Sequence, residues 1–217
     1  MKNRGFTLIE LLVVIGIILI LIGIALPNFI GARMRSLVVS QKASLVASAT
    51  AIESYRLDHS ALPPSRYYCF AVVPELIARY YELPMELTTP TPYLARRPID
   101  HFHFKGATNT EGAQVVKYRG IGPGLFNDLP TVEGMWLPTE FPVDNRKYVF
   151  YHESSKEHPE SQCPVKYGVW SVGLDHDPLK LSEHTRDPSA THRWYSPTNG
   201  THSLGLIARL ASGHYSP

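Results

Sequence analysis

The residue in this chain whose chemistry most demands an explanation is Glu10. It lies near the start of an apolar run from Phe6 to Leu26, behind a short basic leader, Met1-Lys2-Asn3-Arg4-Gly5. A carboxylate at the centre of a bilayer costs roughly 2.5–3.5 kcal/mol on insertion scales, so an acid inside such a run is a functional hypothesis by default. Something must compensate it, and the obvious candidate is a positive charge on another molecule. The position of Glu10 therefore points to assembly rather than to a plain anchor.

Other reactive side chains form weaker patterns. Of the ten histidines, His101 and His103 alternate with Phe102 and Phe104, which on a strand would put both imidazoles on one face. Two ligands are too few for a structural zinc site, and no Cys-x-x-Cys or HxxxH spacing adds more, so a solvated strand face is expected. Ser154, Ser155 and Ser171 lack a Gly-x-Ser-x-Gly elbow. Gly120-Ile121-Gly122-Pro123-Gly124 is rich in glycine, but its proline and the lack of a following helix favour a turn over a phosphate cradle. Asn199-Gly200-Thr201 matches a glycosylation sequon, a tripeptide common by chance, and a plain Asn-Gly turn is the expected meaning. Cys69 and Cys163 could close one long loop in an oxidising compartment or stay as two buried thiols, and a lone pair has no spacing rule to decide between them.

Phe6–Leu26 supplies about twenty residues, or about 30 Å of helix, the thickness of a hydrocarbon core. Lys2 and Arg4 place the N-terminus on the cytoplasmic side; Arg33 and Arg35 weaken that bias without reversing it. The run is too long for a secretory signal and lacks a clean small-x-small cleavage site. A generic signal anchor explains its length and leader charges but not Glu10 or Gly5-Phe6. Pro27, with Gly23 one turn before and Gly31 one turn after, predicts a kink or locally melted turn; the plainer alternative is that Pro27 ends the membrane helix.

From Asn28 to about Asp58 the pattern is helical. Leu37, Val38, Leu45, Val46, Ala49, Ile52 and Tyr55 fall largely at three-and-four spacing, and Ala61-Leu62-Pro63-Pro64 stops the helix. Val73–Tyr81 reads as a short helix with proline in its first turn, and Leu87–Leu94 as a linking segment. Strands are expected at 115–121, 148–152, 167–172 and 204–208, without long helices between them. Eighteen prolines imply a loop-rich head, and clusters such as Tyr67-Tyr68 and Tyr80-Tyr81 a surface or shallow core. The expected fold is α+β: a long N-terminal helix, membrane-spanning in its first half, packed on a small antiparallel sheet. The corresponding segments are a leader at 1–5, a transmembrane helix at 6–27, its amphipathic continuation at 28–60 and a head at 61–217 on the far side of the membrane from the N-terminus. A formal charge of +2 gives no reason to expect nucleic acid as a partner.

The stretch Lys2-Asn3-Arg4-Gly5-Phe6-Thr7-Leu8-Ile9-Glu10-Leu11-Leu12-Val13-Val14 closely resembles the class III signal of type IV pilins and type II secretion pseudopilins. The resemblance implies that a prepilin peptidase cuts between Gly5 and Phe6 and methylates the new Phe6 amine. It also makes Glu10 the family's fifth mature residue, Pro27 its helix proline and the fold its lollipop. The amine created by the cut could then pair with Glu10 of an adjacent subunit, which sets register. Three further stretches resemble the major-pseudopilin branch: Val169–Asp177, Tyr195–Ile207, and Leu87–Leu94 with Pro98-Ile99-Asp100.

That branch binds calcium through its C-terminal loops, and calcium takes six to eight oxygen ligands. Asp175, Asp177 and Asp187 are retained, whereas Ser196 and Leu206 replace two family aspartates and His176 a turn glycine. Asp175 and Asp177 stay as candidate calcium ligands, set against a hydrogen-bonded turn without metal, which the departures favour; no other cofactor is implied. The function implied is a structural subunit of an inner-membrane-derived periplasmic pseudopilus in a type II secretion-like system, not an enzyme. Its implied partners are the prepilin peptidase, itself and other pseudopilins, and the inner-membrane secretion platform. The alternative is a minor type IV pilin acting in adhesion, DNA uptake or surface binding. A tethered periplasmic enzyme would need a convergent acid, base or nucleophile site, and the sequence presents none.

Overall fold

The computed structural model of the protein describes residues 7–67, 81–103, 114–139, 148–173 and 206–211. One helix, α1 (Leu8–His59), is followed by eight short strands: β1 (Ser65–Tyr67), β2 (Lys117–Gly120), β3 (Gly122–Phe126), β4 (Leu129–Glu133), β5 (Met135–Pro138), β6 (Tyr148–Tyr151), β7 (Tyr167–Ser171) and β8 (Ile207–Leu210). Single 3-10 turns lie at Met85–Leu87 and Glu160–Gln162. The architecture is α+β, and it divides into two compact units at Val38 and Val39.

In the first unit α1 is apolar on all sides. Large side chains from Leu8 to Ile30 are exposed, and an 18-residue window of mean hydropathy 3.1 has none of its surface buried. A helix of this length and composition is long enough and apolar enough to cross a bilayer. Pro27 lies inside α1, so the helix does not end there. Pro27 offers no N–H to the turn before it. The next side chain, Asn28, donates its amide to the Ile24 carbonyl at 3.3 Å.

In the second unit the rest of α1 buries Leu45, Ala49 and Ile52 together with Gln41 and Ser48. Val46, expected on the same stripe, is exposed, because i and i+1 lie 100° apart and only Leu45 of the two meets the core. Hydroxyls along this half bond the carbonyl four residues back: Ser44 to Ser40, Ser48 to Ser44, Thr50 to Val46 and Ser54 to Thr50. That satisfies polar groups which would otherwise compete with helix formation. α1 stops where Ser60 turns left-handed, at φ 53°.

The strands form three small sheets, ordered β1-β3-β4, β2-β7-β8 and β5-β6. All pairs are antiparallel except β1 with β3, a departure from the single antiparallel sheet expected. Three of the anticipated strands match β2, β6 and β7 closely; the fourth is shifted toward the C-terminus, as β8. The Gly120–Gly124 stretch is not simply a turn. Only Ile121 bends, Gly122 takes φ +111°, and β3 begins at once. Ser65 fastens this corner: its hydroxyl accepts from Gly120 N–H at 2.7 Å and donates to the Gly120 carbonyl at 3.2 Å.

The core of this unit is aromatic. Tyr81, Phe102, Tyr118 and Trp170 are fully buried, so these tyrosines are not surface residues. Tyr118 donates to the Pro63 carbonyl at 2.9 Å and Tyr167 to that of Ala49 at 3.3 Å, which gives each buried phenol an acceptor. Charges are buried too: Arg119 on β2 meets Glu133 on β4 at 3.4 Å, and Arg97 meets Glu82 at 3.5 Å. The Arg119 guanidinium also lies 4.8 Å from the centre of the Tyr81 ring.

Candidate functional site

The N-terminal end of α1 holds the Glu10 carboxylate in a defined place. Thr7 precedes the first helical residue, and its N–H and hydroxyl both donate to Glu10 Oε2, at 2.9 and 2.6 Å. In return the Glu10 N–H donates to Thr7 Oγ1 at 3.3 Å. This is a reciprocal capping box, Thr-x-x-Glu, which satisfies two of the donors that every helix start leaves open. An acid in the first turn also faces the positive end of the helix dipole. Within one chain, then, the carboxylate is oriented by Thr7, and one of its oxygens takes both bonds. Sequence reasoning gave Glu10 a role between subunits and missed the cap within its own chain, although Thr7 three residues upstream was the signal. Gly5 and Phe6 lie outside the described residues.

Other predicted positions separate. Cys163 is a buried thiol that donates to the Val165 carbonyl at 3.0 Å, and burial pushes its pKa up. Its proposed partner Cys69 lies outside the described residues, as do Asp175, Asp177 and Asp187 and the expected helix at Val73–Tyr81 apart from Tyr81. Among the described residues no three His, Cys, Asp or Glu side chains come together in a way that could hold a metal ion.

His101 and His103 are not on a strand. They sit on a turn organised by Asp100, whose carbonyl receives His103 N–H at 3.2 Å while Oδ1 receives Phe102 N–H at 2.9 Å. The turn buries Phe102 and leaves His101 exposed. Asp100 itself is fully buried and accepts on both oxygens: Oδ1 also takes the Ser171 hydroxyl at 2.6 Å, and Oδ2 takes Val172 N–H at 2.9 Å. Desolvation raises its carboxyl pKa, and these hydrogen bonds oppose that rise. The motif residue Asp100 thus ties its own turn to the end of β7.

The structure also makes a contact the sequence reading did not foresee. His152 Nδ1 lies 2.7 Å from Ser154 Oγ. The same nitrogen accepts Ser154 N–H at 3.1 Å, and Nε2 donates to the Val132 carbonyl at 3.2 Å. The imidazole closes a two-residue turn and pins it to β4, a structural use of both nitrogens. At the C-terminal end of α1, Tyr55 stacks on His59 at 4.0 Å and Tyr93 meets both edge-on. The Tyr93 hydroxyl donates to Asp58 at 2.7 Å, and this bond is the main reason its pKa is raised to about 12.

With this geometry in view, comparison with known proteins returns to the helix start. Residues 1–26 match the family model described as the prokaryotic N-terminal methylation motif. The chain is similar to the type IV major pilin protein PilA of Myxococcus xanthus, 52% identical over 54 residues, covering 25% of this chain and 24% of that protein. It is similar to the type II secretion system core protein G of Klebsiella michiganensis, 36% identical over 86 residues, covering 37% and 59%. It is also similar to the prepilin peptidase-dependent protein D of Escherichia coli K12, 43% identical over 61 residues, covering 28% and 42%. The chain therefore spans between about a quarter and three-fifths of the length of these relatives. No solved structure matches it. The resemblance to type IV pilins and type II secretion pseudopilins carried by Lys2–Val14 is borne out by the motif and by the relatives alike.

Proposed function

We propose that the chain is a filament-forming structural subunit of the pseudopilin kind, acting in a type II secretion-like system. A prepilin peptidase cuts between Gly5 and Phe6, and the Phe6 amine is methylated. Residues 6–27 hold the subunit in the inner membrane with its N-terminus cytoplasmic, and residues 61–217 form a periplasmic head at the end of the amphipathic stretch 28–60. The subunit then enters a pseudopilus with its own kind and other pseudopilins, supported by an inner-membrane platform. Glu10 sets register by pairing with the Phe6 amine of a neighbour, and Pro27 gives α1 a place to bend as it packs.

The observation that carries this reading is the methylation motif over residues 1–26, at the head of a helix apolar enough to span a bilayer and interrupted by one oriented acid. The cap with Thr7 would be served as well by an uncharged glutamine; the charge itself is neutralised only if a counter-charge arrives, and cutting after Gly5 creates one. Repetition of one such pairing along an axis is a heterologous contact that does not close, which gives a helical filament. The longer stretch of similarity, 86 residues against 54, is to core protein G rather than to PilA, and this favours secretion over a minor type IV pilin. Deleting the chain from its host tests the choice. Loss of exported enzymes from the medium with surface pili unchanged is the expected result; intact export with impaired attachment or DNA uptake would favour the pilin reading.

A further inference from the structure

Arg33 and Arg35 have no part in the function proposed above. Both are exposed on α1, directly beyond the continuous run of exposed apolar side chains that ends at Phe29 and Ile30. Among the described residues neither makes an ion pair or a side-chain hydrogen bond. Between Phe6 and Val38 the only charged side chains are Glu10, Arg33 and Arg35. Arg33 stands 23 residues after Glu10, about 35 Å along a helix axis, against a hydrocarbon core of about 30 Å.

The spacing of the two arginines matters. Residues two apart on a helix are about 200° apart around the axis but only about 3 Å apart along it. Arg33 and Arg35 therefore leave opposite sides of α1 at nearly one depth. A neighbouring helix or a globular partner covers one side and meets one of them. A plane of headgroups surrounds the helix and meets both. The guanidinium fork suits phosphate oxygens, and long basic side chains at the end of a membrane helix extend to the interface.

We propose that Arg33 and Arg35 form a lipid-binding collar for the phosphates of anionic phospholipids, on the side of the bilayer from which Val39 and the rest of the chain continue. Before processing, Lys2 and Arg4 oppose this collar from the other side. Cutting after Gly5 removes them, and every remaining lysine and arginine then lies on the collar side. The helix can leave the bilayer in the direction of its head without dragging a basic side chain through the core. Until it does so, the collar fixes its depth. The proposal rests on the membrane reading above.

The full chain is reconstituted in phosphatidylcholine vesicles with trace spin-labelled phosphatidylglycerol or phosphatidylcholine, and the motionally restricted fraction of each label is measured. The wild type is expected to prefer phosphatidylglycerol, by roughly fivefold per arginine at low salt, and the preference should shrink toward 1 M salt. Arg33→Gln/Arg35→Gln should remove the arginines' share, leaving in the uncut chain only what Lys2 and Arg4 contribute, and Arg33→Lys/Arg35→Lys should keep it. An unchanged preference in the glutamine pair overturns the proposal. So does a lysine pair that loses the preference along with the glutamine pair. If the glutamine pair keeps the lipid preference but fails to enter filaments, the arginines serve a partner subunit's carboxylates instead. The difference between wild type and variant is read in cut and uncut chains alike, so failure of peptidase processing would leave this result standing.

Discussion

Glu10→Gln separates the two uses of the Glu10 carboxylate. In the structure Oε2 receives both the N–H and the hydroxyl of Thr7. A glutamine oxygen can accept the same two bonds, and glutamine serves as well as glutamate at this position of a capping box. What it cannot do is neutralise an amine. Thr7→Ala makes the complementary cut: it deletes the hydroxyl bond and the acceptor for Glu10 N–H but leaves the negative charge. Loss of a helix N-cap costs about 1 kcal/mol, or roughly fivefold in an equilibrium. Removing one partner of a buried ion pair costs about 3–5 kcal/mol, or at least a hundredfold. Filament incorporation, measured as the sheared fraction of subunit in cells that also make the matching peptidase, should therefore fall a few-fold in Thr7→Ala. It should be lost in Glu10→Gln and Glu10→Ala alike, with membrane insertion intact in all three. If Glu10→Gln assembles like the wild type while Thr7→Ala does not, the carboxylate matters as a cap and the pairing argument is wrong.

Three predictions concern the head. Asp100→Asn presents an N–H₂ group to one of the donors that the carboxylate now satisfies on either oxygen. An orphaned buried donor costs about 1–3 kcal/mol, so the melting temperature of the full chain in detergent should fall by about 3–10 °C; no change would mean the turn re-forms without Asp100. Gly134→Ala would place a Cβ 2.4 Å from the Phe150 ring and 2.5 Å from the Tyr151 carbonyl. Overpacking of this kind costs about 1–3 kcal/mol, again readable by thermal unfolding, and a neutral result would show that β5 and β6 can separate freely. An acceptor carboxylate stabilises the protonated phenol of Tyr93. Ultraviolet titration, with Tyr93→Phe as the blank, should therefore find it ionising near its raised value of about 12, and Asp58→Asn should return it toward 10.0.

The long apolar helix and the acid in its first turn were legible in the sequence because length, composition and the position of a charge belong to a single segment, without help from tertiary contacts. The inner stripe of α1 was partly legible. Leu45, Ala49 and Ile52 face the core as spacing required, while Val46 is exposed. The β3–β4 hairpin was lost to composition, since Gly122-Pro123-Gly124 looked like punctuation. Pro123 is tolerated there because β1 pairs only from Gly124 onward, so its missing N–H leaves no ladder bond unmade on that side. The turn signal was one step further on, at Asn127 and Asp128, both with positive φ. The buried pairing of Arg119 with Glu133 could not have been read, because it depends on which strands meet. His101 and His103 show the limit of alternation as a strand signal: a buried Asp100 one residue earlier made the segment a turn.

The most direct measurement is the mass and N-terminal residue of the chain purified from cells with and without the prepilin peptidase. With it, the chain should begin at a methylated Phe6, five residues shorter than the sequence; without it, at the uncut leader. A chain that still begins at Met1 when the peptidase is present would leave Glu10 without the amine it is proposed to meet, and the assembly reading would fail with it.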